Sequence, residues 1–367
     1  MDKINTYIKT IEKAQLFIDL KSLKHNYRLI NQITNKSLII GVVKGDGYGH
    51  GMMKCSETLI KSGCKNLYVA NIDDALNLRN IYKKVRIFVL SGPINHHEVG
   101  ILDRNRITPI INNPGQLELV LKYSLLKNKK MNAVIQIDTG MNRMGFKHNE
   151  LSYLNEKLKM LNVSFLMSHF TSADEKDKKN CNKQLKQLLN LNQNLNYKLS
   201  IANSSGCFLN SNYHLDYVRP GKSLYGMNPF KKKSFGLKQV ASLYAPIIQT
   251  SSINKNETVG YGKTYIAQKK IKTATINFGY ANGYMRSASN RAITYINSIP
   301  AKVLGRISMD LVTIDVSSIP EQFLHLGYPV EILGENATYE KVSETLGTHE
   351  LETLISIGLG TQKKYLS

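Results

Sequence analysis

Between about residue 15 and residue 230, short apolar β-like runs alternate with helical stretches, and this alternation constrains the fold more than any other feature. The runs are Leu16–Leu20, Leu38–Val43, Asn66–Ala70, Ile87–Leu90, Thr108–Ile111, Ala133–Ile137, Val163–Ser168, Leu199–Ala202 and Tyr217–Arg219. Between them, Ala75, Leu78 and Tyr82, and likewise Leu185, Leu188 and Leu189, recur at helical spacing. Strand and helix alternating about eight times predicts an α/β chain with an N-terminal (β/α)8 TIM-like barrel. A doubly wound open sheet is the alternative, but no G-x-G-x-x-G follows the first strand. Past about residue 240 the texture changes. Pro246–Ile253, Thr273–Phe278, Ala292–Ile296, Met309–Val316 and Pro329–Leu333 are separated by Gly, Asn and Pro turns, which predicts a mostly β C-terminal domain. The expected division is residues 1–14 as a segment joining the β domain, 15–237 as the barrel and 238–367 as the β domain.

The strand ends carry the chemistry. In a (β/α) barrel the site forms at the C-terminal ends of the strands, and here those ends are polar. Leu38–Val43 runs into Lys44, followed by Gly-Asp-Gly-Tyr48-Gly-His-Gly51. A lysine closing a buried strand is partly desolvated, which lowers its pKa and makes the amine a nucleophile. The glycines after it permit a loop that wraps a ligand. Together they suggest a Schiff-base lysine with a phosphate anchor nearby, with Tyr48 either lining the site or only packing. Ala133–Ile137 leads into residues 138–146, where Arg143 either anchors an anion or pairs with Asp138. Val163–Ser168 ends at His169, a reactive group or a hydrogen-bonded structural histidine. Leu199–Ala202 ends in Asn203-Ser204-Ser205-Gly206, and Tyr217-Val218 ends in Arg219-Pro220-Gly221-Lys222. Both offer backbone N–H groups suited to a phosphate, although Asn203 and Ser204 are equally good helix caps. Five polar strand ends on one face are more than a structural barrel requires.

Charge and cysteines exclude other classes. Lys+Arg 49 against Asp+Glu 27 gives a net charge of +22. The lysines are spread along the chain rather than clustered with aromatics, so a solvated surface is expected and not a nucleic-acid site. The densest runs, Lys127-Asn-Lys-Lys130 and Lys231-Lys-Lys233, read as loops. No stretch reaches the roughly 20 apolar residues of a membrane span, and the N-terminus lacks a signal-peptide core, so a cytoplasmic protein is expected. Cys55, Cys64, Cys181 and Cys207 show neither zinc nor disulfide spacing, so no metal is expected and the thiols read as free and mostly buried.

These residues resemble the blocks of the alanine racemase family, pyridoxal-phosphate (PLP) enzymes with a barrel and a C-terminal β domain. Val43-Lys44-Gly-Asp-Gly-Tyr48-Gly-His-Gly51 is similar to the family's PLP-lysine signature. Asp138-Thr-Gly-Met-Asn-Arg143-Met-Gly, Ser168-His169-Phe170, Ala202-Asn203-Ser204 and Val218-Arg219-Pro220-Gly221 match further blocks in order. The β domain adds Gly260-Tyr261-Gly262, Gly279-Tyr280-Ala281-Asn282-Gly283-Tyr284 and Gly305-Arg306-Ile307-Ser308-Met309-Asp310. Phe17-Ile-Asp-Leu and His25-Asn-Tyr fit at the start, so the resemblance covers nearly the whole chain.

The resemblance implies PLP-dependent interconversion of L-alanine and D-alanine by two bases, supplying D-alanine for peptidoglycan. Lys44 would hold PLP covalently and act as the D-side base. Tyr261 would be the L-side base, its phenol (ordinarily near ~10) made more acidic by a cationic neighbourhood that His169, backed by Arg219, would provide. Arg219 would face the pyridine nitrogen; unable to accept a proton, it would keep the ring a weaker electron sink. Tyr48, Ser204 and the N–H groups of Gly221 and Lys222 would bind the phosphate, with His169 and Asn203 also on the cofactor side. Arg143 and the backbone of Met309 would hold the substrate carboxylate. In this family Tyr261 and Met309 reach the site from the other subunit, so a homodimer with shared sites is implied.

Three departures bear on substrate preference. Gln136 stands where many members have a lysine, Asn282 replaces a common aspartate, and Ile355–Tyr365 is the poorest match. A family tyrosine falls near Leu359, with Tyr365 as a possible substitute. A racemase of broader specificity and a related barrel-type PLP decarboxylase are the alternatives. A decarboxylase would present an acidic partner to the pyridine nitrogen, and Arg219 argues against that. A single-domain PLP carrier would lack Tyr261 and Gly305–Asp310.

Overall fold

Eight of the apolar runs close on one another. In a computed structural model describing residues 10–147, 150–193, 195–230 and 234–367, the first strand, β1 (Gln15–Asp19), is followed by β2 (Leu38–Val42), β3 (Asn66–Val69), β4 (Arg86–Val89), β5 (Thr108–Ile111), β6 (Asn132–Gln136), β7 (Asn162–Met167), β8 (Leu199–Ser200) and β9 (Tyr217–Val218). Strands β2 to β9 pair in chain order and all in parallel, and β9 returns to β2 through Leu38↔Tyr217 and Ile39↔Val218. The result is the eight-stranded barrel that the alternation predicts.

Its strands are short because they are buried on both faces. Ile40, Leu67, Val69, Val89, Ile110, Val134 and Leu166 are fully covered. Inside, Phe165 stacks on Tyr217 at 4.5 Å and meets Phe88 edge-on at 5.4 Å, so aromatic rings fill the barrel. Three successive helices start with the same device. Asn71, Asn95 and Asn113 each accept a hydrogen bond from the backbone N–H three residues on, capping Ile72–Ile81, His96–Arg104 and Pro114–Leu126. Of the helical triads, Ala75, Leu78 and Leu188 are buried, whereas Leu189 faces solvent.

β1 corrects the sequence reading. Leu16–Leu20 is a strand but not one of the barrel. β1 lies parallel to β18 (Lys363–Leu366) and antiparallel to β10 (Ala241–Ile253). A continuous apolar run such as Leu16-Phe17-Ile18 marks a buried strand but names no partner.

The chain divides into two compact units. One holds Leu23–Gly47 and Met52–Lys238; the other holds the described part of Met1–Ser22, Tyr48–Gly51 and Gln239–Ser367. The second unit adds β11 (Thr258–Val259), β12 (Tyr265–Ile266), β13 (Ile271–Asn277), β14 (Ile293–Ile296), β15 (Ile299–Leu304), β16 (Leu311–Asp315) and β17 (Pro329–Leu333). Its large sheet runs β13-β16-β15-β14-β17-β10-β1-β18, and a further pairing of β10 with β13 closes the first six strands on themselves. Two helices, Tyr339–Leu346 and Glu350–Gly360, precede β18. Of the segment 1–14, residues 10–14 are described, and the Ile11 N–H donates to the Gly327 carbonyl. Lys231-Lys-Lys233 lies outside the described residues. The four cysteines are buried, and none forms a disulfide among the described residues. Among the described residues no helix is long and apolar enough to cross a membrane.

Candidate active site

β2 delivers Lys44 to the barrel's C-terminal end directly after the buried Val43. Burial, then the positive charge of Arg143, lowers the Lys44 pKa from its ordinary value, so the amine is closer to its nucleophilic neutral form. The segment after it is a left-handed helical turn. Gly45, Asp46 and Gly47 have φ/ψ of 60/47°, 50/47° and 64/42°, and Tyr48, Gly49 and Gly51 also have positive φ. Left-handed geometry costs an L-residue about 1–2 kcal/mol, which is why glycine alternates here. Asp46 offsets part of its own cost by accepting the Met52 N–H at 2.8 Å, capping helix Met52–Lys61. The glycines therefore set the handedness of the turn as well as permitting close approach. Tyr48 is buried and its carbonyl contacts His50 Nδ1 at 2.9 Å.

Arg219, at the end of β9, is the most deeply held cation of the site. It is only 5% exposed. Its guanidinium donates to Ser200 Oγ and to the Ser168 carbonyl, and approaches His169 Nδ1 at 3.3 Å. Burial lowers its pKa to about 10, with Tyr68 and Cys207 opposing the shift, so it stays charged at neutral pH. An arginine can only donate, so the His169 Nδ1 facing it is the acceptor and the ring proton sits on Nε2.

His169 is not itself a cation of the site. Burial, followed by the charges of Arg219, Arg143 and Lys44, holds it well below its ordinary value, and the imidazole is neutral. The positive field around it comes from Arg219 and Arg143, with Lys44 beside them.

Ser204 anchors the next corner. Its hydroxyl accepts the Gly221 N–H at 2.8 Å and the Ser223 N–H at 3.3 Å, drawing the ends of β8 and β9 together. The Gly221 N–H, read as an open phosphate donor, is thus engaged by Ser204. Asn203 behaves as a cap: its Oδ1 accepts the Gly206 N–H at 3.0 Å. Lys222 opens the 3-10 turn Lys222–Tyr225.

Arg143 lies exposed on the loop after β6. The pairing with Asp138 does not form. Asp138 Oδ1 instead accepts the N–H groups of Gly140, Met141 and Asn142, shaping the loop that carries the arginine. Gln136, at the end of β6, is 4% exposed; its Nε2 reaches the Met144 carbonyl at 3.3 Å, and its Oε1 has no partner among the described groups.

In the β unit, Tyr261 and Met309 are surface residues, 69% and 54% exposed. They ride on neighbouring loops. A β-carbon at Gly262 would stand 2.9 Å from the Arg306 guanidinium, and the Ala281 N–H donates to the Met309 carbonyl at 2.9 Å. Tyr280, whose N–H donates to the Ser308 carbonyl, and Leu311, two residues after Met309, are also exposed. Leu359 is 71% exposed on helix Glu350–Gly360, whereas the Tyr365 hydroxyl packs beneath Gly51.

Three groups escaped the sequence reading. Ser223 is fully buried and its hydroxyl has no partner among the described groups, although its N–H meets Ser204. Its signal was available, one residue beyond Arg-Pro-Gly-Lys. Ser200 and Tyr68 face Arg219 from inside the barrel, and burial raises the Tyr68 pKa to about 12. Nothing in a local motif marks them.

Comparison with known proteins agrees with this geometry. Residues 18–229 match the family described as alanine racemase, N-terminal domain, and residues 240–365 match alanine racemase, C-terminal domain. The chain is 37% identical to an alanine racemase of Rickettsia canadensis, covering 95% of this chain and 98% of that protein. It is 36% identical to one of Rickettsia africae with the same coverage. Among solved structures, alanine racemase from Bartonella henselae with covalently bound pyridoxal phosphate superposes with a TM-score of 0.91 at 31% identity, covering 97% of this chain and 100% of that one. Biosynthetic alanine racemase from Pseudomonas aeruginosa gives 0.90 at 30%, with the same coverage. A barrel whose strand ends gather Lys44, His169, Ser204 and Arg219, followed by a β domain matched over its length, places the chain in the alanine racemase family.

Proposed function

We propose that this protein interconverts L-alanine and D-alanine with PLP held on Lys44, as a homodimer in which each barrel is completed by Tyr261 and Met309 of a second copy. The observation that carries the reading is the buried guanidinium of Arg219 beside His169, in the same strand-end cluster as a lysine of lowered pKa.

The residues present fit the cofactor. A fully buried hydroxyl without a partner, Ser223, adjoins a hydroxyl that already binds two backbone N–H groups, Ser204. Such a corner suits the oxygens of a phosphate. Ser204, Ser223, Tyr48 and the Lys222 N–H would hold it, with Arg219 at the pyridine nitrogen. PLP, when bound, draws electrons from the substrate Cα and makes its proton acidic.

The chain's own groups do the rest. Lys44 takes or returns the proton on the D-side. Tyr261 does so on the L-side, with its phenolate oxygen accepting from His169 Nε2–H, whose proton Arg219 keeps in place. Arg219 cannot accept a proton, which would limit charge build-up on the ring and so disfavour side reactions. Arg143 and the Met309 backbone orient the substrate carboxylate. Exposed Tyr261, Tyr280, Met309 and Leu311 form the kind of apolar surface that a second subunit covers.

Adding PLP to the purified protein should produce an absorbance band near ~420 nm, from cofactor joined to lysine, together with alanine racemisation. Lys44→Ala should abolish both. A band that survives in Lys44→Ala would overturn the assignment. Rates for alanine, serine and lysine measured side by side separate a dedicated alanine enzyme from one of broader specificity.

A further inference from the structure

Helix Glu350–Gly360 touches two functional loops of the β unit with its own backbone. Toward the Tyr48 loop, a β-carbon at Gly49 would stand 2.1 Å from the Leu354 carbonyl oxygen, and one at Gly358 would stand 2.1 Å from the Gly49 carbonyl oxygen. Toward the Tyr280–Asn282 turn, a β-carbon at Gly283 would meet the Ser356 carbonyl oxygen at 2.3 Å, and one at Gly360 would meet the Asn282 backbone at 2.5 Å. Backbone pressed on backbone leaves neither junction room to slide.

Asn282 fastens the second junction. Its Oδ1 accepts the Gly279 N–H at 3.2 Å and its Nδ2 donates to the Gly360 carbonyl at 3.2 Å. Its own carbonyl accepts from Thr361 Oγ1 at 3.3 Å, and Ser356 Oγ donates to the neighbouring Gly283 carbonyl at 3.2 Å. The turn so held grips the loop that carries Met309. The Tyr280 N–H donates to the Ser308 carbonyl at 3.1 Å and the Ala281 N–H to the Met309 carbonyl at 2.9 Å. A β-carbon at Gly279 would stand 2.3 Å from that Met309 oxygen.

The chemistry of the junction selects an amide. An aspartate at 282 could accept the Gly279 N–H, but a carboxylate has no hydrogen for the Gly360 carbonyl and would set charge against that oxygen. Asn282, a departure from the family pattern, thus bonds to the backbone of the weakly matching segment at Gly360. The bond sits where the substrate-facing loop meets its support.

We propose that Asn282 is a positioning residue for substrate binding: bonded to Gly360, it sets the Ser308–Met309 backbone that receives the carboxylate in the second copy's site. This rests on the shared-site dimer proposed above. Asn282→Asp should raise KM for both alanine enantiomers about tenfold, the scale of one hydrogen bond to a charged partner, and leave kcat within about twofold. Asn282→Ala, which removes both side-chain bonds without adding charge, should move KM in the same direction.

Mixed dimers locate the effect. Asn282→Asp subunits exchanged with excess Lys44→Ala subunits put an intact Asn282 beside the only working Lys44, and KM should return to the wild-type value. A KM that stays raised in the mixture, or kcat falling by the same factor as KM rises in both variants, would overturn the proposal. A parallel mixture of Lys44→Ala with Tyr261→Phe tests the dimer by itself. If it recovers activity while the Asn282→Asp mixture does not recover KM, the positioning role alone is wrong. If it recovers nothing despite proven exchange, the shared-site dimer is wrong and takes the positioning role with it.

Discussion

The barrel mouth and the loops around Tyr261 and Met309 hold residues of equal chemical interest in opposite states. Arg219 is buried, bonded to Ser200 and Ser168 and set against His169. Tyr261 and Met309 stand largely exposed on loops whose backbone, not side chains, is held. The barrel collects its cluster by topology, because parallel strands end on one face. The β unit organises a surface, which in the proposed dimer takes up a chemical role only when a second copy covers it. A group's burial within one chain thus measures how complete that part of a site is, not how important it is.

The largest test of this contrast is Tyr261→Phe. It should slow α-proton exchange from L-alanine by about 10²–10⁴-fold, the usual worth of a positioned general base, and exchange from D-alanine far less. Equal losses from both enantiomers would remove Tyr261 from proton transfer and leave the exposed loop a purely structural element. Next in size is complementation. Equal amounts of Lys44→Ala and Tyr261→Phe subunits, each inactive alone, should recover about a quarter of wild-type activity, because half the dimers would be mixed and each would carry one complete site. Activity that stays at zero with mixed dimers demonstrated would place both residues in the same subunit's site.

The remaining tests sharpen the barrel side. His169 and His214 both have pKa values lowered chiefly by burial. Below pH ~6.5 the unfolded chain binds protons there that the folded chain does not. Stability should therefore fall with acidification through that value, by up to about 1.4 kcal/mol per pH unit for each histidine. His169→Gln should make the fall shallower; an unchanged slope in urea melts would show that His169 is not the neutral group described. The smallest effect is expected at Ser223. Ser223→Ala should weaken PLP binding by about threefold to tenfold and leave apo-protein stability unchanged or slightly higher, since it deletes an unpaired buried hydroxyl. Unaltered PLP affinity would take Ser223 out of the phosphate site.

These residues also show what a sequence can disclose. The barrel was legible because eight buried strands each leave an apolar run, and strand ends such as Lys44 and Arg219 stand out as charges where packing wants none. The partner of β1 was not legible, since an apolar run marks a buried strand while long-range pairing sets its neighbour. Ser223 looks like any serine until its burial and missing partner are seen together. The neutrality of His169 is the sum of burial and three positive charges brought in from separate strand ends. Each of these is a property of the assembled fold.

The left-handed turn at residues 45–51 restricts how this gene can vary. Every codon change that replaces one of its glycines introduces a β-carbon into mirror-image backbone, at about 1–2 kcal/mol each, against a total stability of only about 5–15 kcal/mol for a typical domain. Drift at the glycine codons of this turn is therefore disfavoured. In a related gene released from selection, a run of non-glycine residues at these positions would be among the earliest readable signs that the activity had been lost.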